Sequence, residues 1–133
     1  GYKPNNYILD HISNYNIFAY PSIFEETFCI SAAEALSAGL YCVVTNYGAL
    51  YETCSEWPIY VNYEPDHARL AEAFGYAIDQ AAEQLKYPEV QLHLKNQQTF
   101  YKTFYSWKAK AQQWTNFLQG ALNAKQSTKT NLG

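Results

Sequence analysis

Two glutamates, Glu26 and Glu34, are the residues of this sequence best suited to chemistry. Seven residues separate them, within residues 20–36. The pattern of this segment predicts the end of a strand, an acidic loop and the start of a helix. Carboxylates accept hydrogen bonds from neighbouring hydroxyl groups, such as those of a sugar or a ribose. A helix start offers unpaired N–H groups and a positive dipole end, which suit a diphosphate. The segment therefore predicts a site for a nucleotide-sugar, in which a diphosphate joins two hydroxylated rings.

The same residues also fit purely structural roles. Ser31 and Glu34 have the spacing of a capping box, in which the serine caps the helix and the glutamate reaches back. Glu25 and Glu26 fit solvated acids of a surface loop. Cys29 would need a nearby base to act as a nucleophile, and no sequence feature supplies one, so we set that role aside.

Short apolar runs alternate with helical patterns, which is typical of α/β proteins. Near-continuous apolar runs suit strands that are buried on both faces of a parallel sheet. The patterns predict three strands (residues 16–20, 41–45 and 58–61) and six helices (residues 6–13, 31–38, 49–53, 66–85, 88–104 and one from 106 onward). Because ligands bind at the carboxyl ends of parallel strands, the acidic loop after the first strand is a suitable place for a site.

Several residues mark the ends of these helices. Ser31, Asp66 and Ser106 are suited to N-caps, and Gly39 is suited to a left-handed C-cap. In the last helix, a stripe of apolar residues is interpreted as core packing rather than as a ligand platform (Trp107, Trp114 and Phe117).

Composition narrows the class of protein. The chain has 133 residues, 48% of them hydrophobic and 16% charged, with a net charge of −3 and Arg69 as its single arginine. This mixture excludes wholesale disorder and argues against a nucleic-acid partner. No apolar run is long enough to span a membrane. The 3 cysteines (Cys29, Cys42 and Cys54) lack metal-site spacing and indicate a reducing compartment, so we expect no metal and a cytoplasmic location.

The acidic segment resembles the E-x7-E signature of retaining glycosyltransferases of family 4, the glycosyl transferases group 1, which have the type B fold of two Rossmann domains. The residues that carry the resemblance are Pro21, Ser22, Glu25, Glu26, Phe28, Glu34, Ala35, Gly39 and Val43. Residues 48–52 resemble the G-G-x-x-E turn of that family, and Ser106-Trp107 resembles the start of its closing helix.

The resemblance implies a role for each site residue. Glu26 would lie beside the donor sugar as the catalytic residue, and Glu34 would bind the ribose hydroxyls. Phe28, Cys29 and Ile30 would donate main-chain N–H groups to the sugar and phosphates. The donor would be a nucleotide-sugar, used as a substrate with no cofactor and no metal, and the acceptor would be a sugar, lipid or polysaccharide.

Three positions depart from the family's usual sequence motif. Cys29 and Ala49 stand where it has glycine, and Tyr41 stands where it has proline. Cys29 favours the main alternative, a non-catalytic Rossmann-like domain for binding or scaffolding. A further alternative is an α/β module whose long helices bind a partner. A pyridoxal-phosphate enzyme is disfavoured, because no lysine lies between Pro4 and Leu85.

The resemblance covers only the later part of the C-terminal, donor-binding domain of a type B enzyme. We therefore expect residues 1–124 to be a partial Rossmann-like domain with about three parallel strands and long C-terminal helices, and residues 125–133 to be a polar tail. We expect the chain to be an inactive piece of a longer cytoplasmic protein, for which attachment to a membrane stays open. The first strand would have an open edge, through which we expect the piece to dimerise.

Overall fold

The computed structural model describes the backbone of residues 2–130 and the side chains of residues 2–125. Every predicted strand and helix is present near its predicted position. In chain order they are α1 (Asn5–His11), a 3-10 turn (Ile12–Asn14), β1 (Ile17–Tyr20), α2 (Ile30–Ala38), β2 (Tyr41–Asn46), α3 (Leu50–Cys54), β3 (Ile59–Asn62), α4 (His67–Gln84), α5 (Pro88–Phe104) and α6 (Trp107–Thr130).

The strands form one parallel sheet, as predicted, and their order in it is β1-β2-β3. Phe18 of β1 lies opposite Cys42, and Val44 of β2 lies opposite Tyr60. The central strand β2 is buried except for its last residue, Asn46, which explains its apolar, β-branched sequence. β1 and β3 form the two edges of the sheet in the described part of the chain.

The core is built on both faces of β2. On one face, Tyr41 and Val43 belong to a buried cluster with residues of α4 and α5, including Phe74 and Leu94. Cys42 and Val44 point to the opposite face, since side chains alternate along a strand, and both are completely buried. The sheet therefore has helices on both sides, which confirms the predicted α/β class.

The helix ends agree with the predicted caps in three cases out of four. Gly39 adopts the left-handed conformation (φ 86°) after α2. The Asp66 side chain accepts hydrogen bonds from the N–H groups of Ala68 and Arg69, and Ser106 Oγ accepts one from Ala109.

The prediction that Ser31 caps α2 is wrong. Ala33 N–H donates to the Cys29 carbonyl (3.1 Å), so the helix begins one residue earlier and Ser31 lies inside it. Cys29 occupies the N-cap position, and no side-chain hydrogen bond caps the helix. The capping-box interpretation of Ser31 and Glu34 is therefore also wrong.

The chain divides into two compact units, Gly1–Tyr101 and Lys102–Gly133. The first unit contains the sheet, and the second contains α6. The predicted tail of residues 125–133 overlaps the end of α6, and its residues 131–133 lie outside the described residues. The boundary at residue 124 stays a prediction.

The apolar stripe of α6 is not buried, so its interpretation as core packing is wrong. Trp107 is 88% exposed, Trp114 is 63% exposed and Phe117 is 67% exposed. Helical spacing reveals that these side chains share a face, but burial depends on whether another element covers that face.

Candidate functional site

Glu26 lies in the loop between β1 and α2, at the carboxyl end of a parallel strand. The hydroxyl of Tyr20, the last residue of β1, donates a hydrogen bond to Glu26 Oε1 (2.5 Å). This bond, together with burial, raises the pKa of Tyr20 to about 12. Tyr20 therefore stays a neutral donor at neutral pH and orients the carboxylate. The sequence analysis missed this residue, although its place at the strand end marks it as facing the loop.

The main chain of Glu26 is also held in place. The Ala49 N–H donates to the Glu26 carbonyl (2.8 Å). Gly48, which precedes Ala49, has a φ of +56°, and a Cβ atom there would lie 2.7 Å from the Glu26 nitrogen. Only glycine tolerates both this conformation and this close approach. The structure thus brings together the acidic loop and the turn after β2, which the sequence singled out separately.

Two further side chains support the loop. Thr45, a buried residue of β2, donates from Oγ1 to the Ser22 carbonyl (2.6 Å). Tyr47 donates to Glu25 Oε1 (3.3 Å) at the surface. The sequence analysis did not predict the contact of Thr45 with the loop. A threonine in a buried apolar strand gives no indication of which backbone carbonyl its hydroxyl will bind.

The segment that leads into α2 exposes Phe28 and Ile30 and buries Cys29, which is only 4% exposed. Burial raises the pKa of the Cys29 thiol, although nearby N–H groups of Ala32 and Ser31 oppose this effect. The thiol is therefore protonated at neutral pH and lacks the thiolate character of a nucleophile. The first N–H groups of α2 have no carbonyl of their own helix to bind, so they are suited to an anionic ligand.

Glu34 lies inside α2 and is half-buried. Among the described residues it makes no hydrogen bond or ion pair, so its carboxylate oxygens are available to hydroxyl donors. The structure places Glu26 before the helix and Glu34 within it, and no hydrogen bond within the described chain joins them.

A groove of about 630 Å³ lies elsewhere in the first unit, between β3 and α4. Its lining includes Asn62, Tyr63, Glu64 and Arg69, none of which the sequence analysis singled out as a site residue. Glu26 and Glu34 do not line this groove. The groove nevertheless adjoins the acidic loop, because its lining residue Tyr63 stacks on Tyr47 (ring centroids 4.2 Å apart), and Tyr47 donates to Glu25.

Comparison with known families identifies the chain. Residues 1–91 match the family model described as glycosyl transferases group 1, which is more than half of the chain. The chain belongs to this family. The match includes all three strands and α1 to α4, and hence both glutamates and the Gly48 turn. The α/β sheet is consistent with a partial Rossmann-like domain of a glycosyltransferase. No curated protein and no solved structure matches the chain.

This glycosyltransferase chain departs from the family's usual sequence motif at three positions whose backbone conformations are unstrained. Cys29 (φ −97°) and Ala49 (φ −82°) have negative φ values that any residue adopts, so neither backbone conformation requires glycine. Tyr41 N–H donates to the Asn16 carbonyl (2.9 Å), a bond that a proline cannot make. The substitutions therefore leave the backbone of the group 1 fold unstrained.

Two other features of the glycosyltransferase chain concern metals and membranes. The described residues contain no group of three or more His, Cys, Asp or Glu side chains that could hold a metal ion. Within the same residues, every helix is too short or too polar to cross a bilayer.

Proposed function

We propose that this chain is the donor-binding part of a retaining glycosyltransferase of family 4 with the type B fold. The longer protein would transfer a sugar from a nucleotide-sugar to a sugar, lipid or polysaccharide acceptor, without a metal ion. Glu26 contacts the donor sugar and Glu34 binds the ribose hydroxyls. The main-chain N–H groups of Phe28, Cys29 and Ile30 meet the sugar and the diphosphate.

The observation that carries this proposal is the double anchoring of Glu26. Tyr20 holds one carboxylate oxygen, and Ala49 holds the main-chain carbonyl of the same residue. The second carboxylate oxygen remains available to a sugar hydroxyl. A carboxylate fixed in advance stabilises developing positive charge without a reorganisation cost at the moment of reaction.

The proposed chemistry breaks the bond between the anomeric carbon and the diphosphate. Positive charge develops on the sugar ring near Glu26, and negative charge develops on the leaving diphosphate near the start of α2. The acceptor hydroxyl oxygen then bonds to the anomeric carbon with its original configuration kept, and the hydroxyl proton passes to the departing diphosphate. This division of charge agrees with an acid before the helix and a positive dipole end at its start.

We also propose that the isolated chain is inactive and binds its donor weakly. Residues 4–68 contain no lysine or arginine, so the segment that holds the site has neither of these side chains to neutralise a diphosphate beyond the helix dipole. Glu25, Glu26 and Glu34 add negative charge to the same region. The missing cations would come from other parts of a longer protein.

Nucleotide titrations followed by nuclear magnetic resonance test the proposal, because this method detects weak binding. Nucleoside diphosphates and the corresponding nucleotide-sugars are added to the wild type, Glu34→Gln and Glu26→Gln. Glu34→Gln should weaken both ligand types about 10- to 100-fold, since hydrogen bonds to a charged acceptor contribute about 1.5–3 kcal/mol. Glu26→Gln should weaken only the nucleotide-sugars, because its partner is the sugar.

Glu72→Gln is the matched control, since Glu72 is an exposed acid of α4 far along the chain from the site. It should bind like the wild type. Absence of binding by every nucleotide would contradict the donor site and favour the scaffolding domain or the interaction module. Nucleotide binding by the longer protein without sugar transfer would favour the non-catalytic alternative.

A further inference from the structure

The groove between β3 and α4, of about 630 Å³, has the size of a small-molecule binding site. The strand lines it with every residue from Ile59 to Glu64. The helix lines it with residues of one face (Arg69, Ala73, Tyr76, Ala77, Gln80 and Gln84). Because β3 has no further partner strand among the described residues, the groove follows the open edge of the sheet.

Several polar groups of the groove are available to a ligand. The hydroxyls of Tyr63 and Tyr76 and the side-chain amide of Gln80 make no hydrogen bond within the described part of the chain. The open edge of β3 adds backbone N–H and C=O groups that point outward. These groups include both donors and acceptors. The groove is therefore suited to a ligand whose own polar groups also donate and accept.

The charge of the groove favours a neutral ligand. Its described lining contains one acid, Glu64, and one cation, Arg69, whose charges cancel. Both are engaged by Asp66, since Glu64 Oε1 accepts from the Asp66 N–H (3.2 Å) and Arg69 Nε lies 3.6 Å from Asp66 Oδ2. Phosphate groups require clustered cations, so the diphosphate of a nucleotide does not suit this groove.

An aromatic ring with space beside it completes the lining. Tyr76 is 68% exposed, and its neighbours in the groove, Ala73 and Ala77, have small side chains that leave its ring accessible. Sugar rings carry C–H groups on their faces and hydroxyl groups around the rim. They can therefore pack against an aromatic ring while their hydroxyls donate to and accept from the surrounding polar groups.

We propose that this groove binds a neutral oligosaccharide and retains it beside the acidic loop without taking part in bond formation. The stack of Tyr63 on Tyr47, which donates to Glu25, places one end of the groove next to that loop. The inference depends on the groove and on membership of a glycosyltransferase family, and not on the proposed donor site. A peptide strand would pair with the edge of β3 alone, whereas a glycan also uses the free polar groups of α4.

Titration of the full chain with neutral pentasaccharides of glucose, mannose, galactose and N-acetylglucosamine, followed by nuclear magnetic resonance, tests the proposal. At least one of them should cause saturable shifts at millimolar concentration in residues 59–64 and in the facing side of α4. No nucleotide is added, so failure of this experiment leaves the proposed donor site intact. Failure of the nucleotide titrations likewise leaves the groove intact.

Paired variants test the two kinds of contact. Tyr76→Ala should weaken binding about 2- to 10-fold, because the packing of a sugar against the ring is lost. Tyr15→Ala removes a similarly exposed ring (64%) outside the groove and should bind like the wild type. Gln80→Ala should also weaken binding about 2- to 10-fold through lost hydrogen bonds. Gln119→Ala, at an exposed position of α6, should have no effect.

Circular dichroism first establishes that each variant is folded. Absence of shifts with all four pentasaccharides, shifts confined to residues outside the groove, or equal losses in the variants and their controls would overturn the proposal. So would a concentration-dependent dimer that forms without sugar and that Tyr76→Ala abolishes, because a second copy would then fill the groove.

Discussion

At the scale of residues, Glu26 depends on groups that are distant from it in sequence. Tyr20 is the last residue of β1, Thr45 lies in β2, and Gly48 and Ala49 follow β2. Gly48 has the most demanding of these positions, because its φ is positive and the Glu26 backbone lies against it. The family's second turn glycine is replaced by Ala49 at no cost in backbone strain, since that φ is negative.

Gly48→Ala should destabilise the chain by about 2–4 kcal/mol, because it adds left-handed strain and a clash with the Glu26 nitrogen. Urea unfolding measures this loss. Gly75→Ala is the matched control, since a Cβ at Gly75 in α4 meets nothing within 4 Å. It should stabilise the chain by up to about 1 kcal/mol, as expected for alanine in a helix. Equal stabilities of the two variants would contradict the close approach at Gly48.

The bond between Tyr20 and Glu26 predicts a dependence on alkaline pH. The pKa of Tyr20 is about 12 in the folded chain and about 10 in an unfolded one. Between these values the unfolded chain loses the proton while the folded chain keeps it, so stability falls as the pH rises from about 10 to 12. Below pH 10 the contribution of this bond is fully present.

Tyr20→Phe should therefore lose less stability than the wild type over the same pH range, as measured by urea unfolding at several pH values. Glu26→Gln should also have a shallower loss, because it removes the charge that strengthens the bond. An identical slope in all three proteins would mean that this hydrogen bond does not form in solution.

At the scale of elements, α5 holds the end of the helix that carries the site. Gln97 is completely buried, and its side-chain amide donates to the carbonyls of Leu36 (3.1 Å) and Leu40 (2.9 Å). Gln98 donates to the Ala38 carbonyl (2.9 Å). These side chains donate to carbonyl groups at the end of α2 and in the link that follows it, and the Leu36 carbonyl also accepts from the Gly39 N–H (3.1 Å).

Gln97→Ala should destabilise the chain by about 2–4 kcal/mol, because it leaves buried carbonyls with fewer donors and creates a cavity. Asn96→Ala, at the exposed neighbouring position, should change the free energy of unfolding by less than about 0.5 kcal/mol. Thermal or urea unfolding compares the two. A small effect at Gln97 would show that α5 does not support α2 in this way.

At the scale of the whole molecule, the sheet has only one interior strand in the described chain. The outer side of β1 has no partner strand among the described residues, and such an edge is a template for pairing with another chain. We propose that the isolated chain dimerises through this edge. The proposed dimer surface is separate in sequence from the stripe of α6.

Ala19→Lys should weaken this dimer, because Ala19 is an exposed residue of β1 and a lysine on an edge strand opposes pairing. Analytical ultracentrifugation over a range of concentrations measures the effect. Ala82→Lys, which adds the same charge to the exposed surface of α4, should dimerise like the wild type. A wild type that stays monomeric at every concentration would rule out the proposed dimer.

The sequence alone was sufficient to predict the order of strands and helices along the chain, the parallel α/β class and most helix caps. These features depend on local periodicity and on residue types such as Gly39 and Asp66, which act over a few positions. The start of α2 was misplaced by one residue, because Ser31 is a better capping residue than Cys29 by type alone. Side-chain preference was overridden there by the path of the loop from β1.

The tertiary structure alone decided how the candidate site is held and what is exposed. The contacts of Glu26 with Tyr20 and Ala49, and those of Gln97 with α2, join residues whose proximity exists only after the chain has folded. The exposure of the α6 stripe was likewise decided by the fold, since periodicity defines a face but not its partner. Local pattern determines the elements, whereas contacts between distant residues and the burial of faces depend on how those elements assemble.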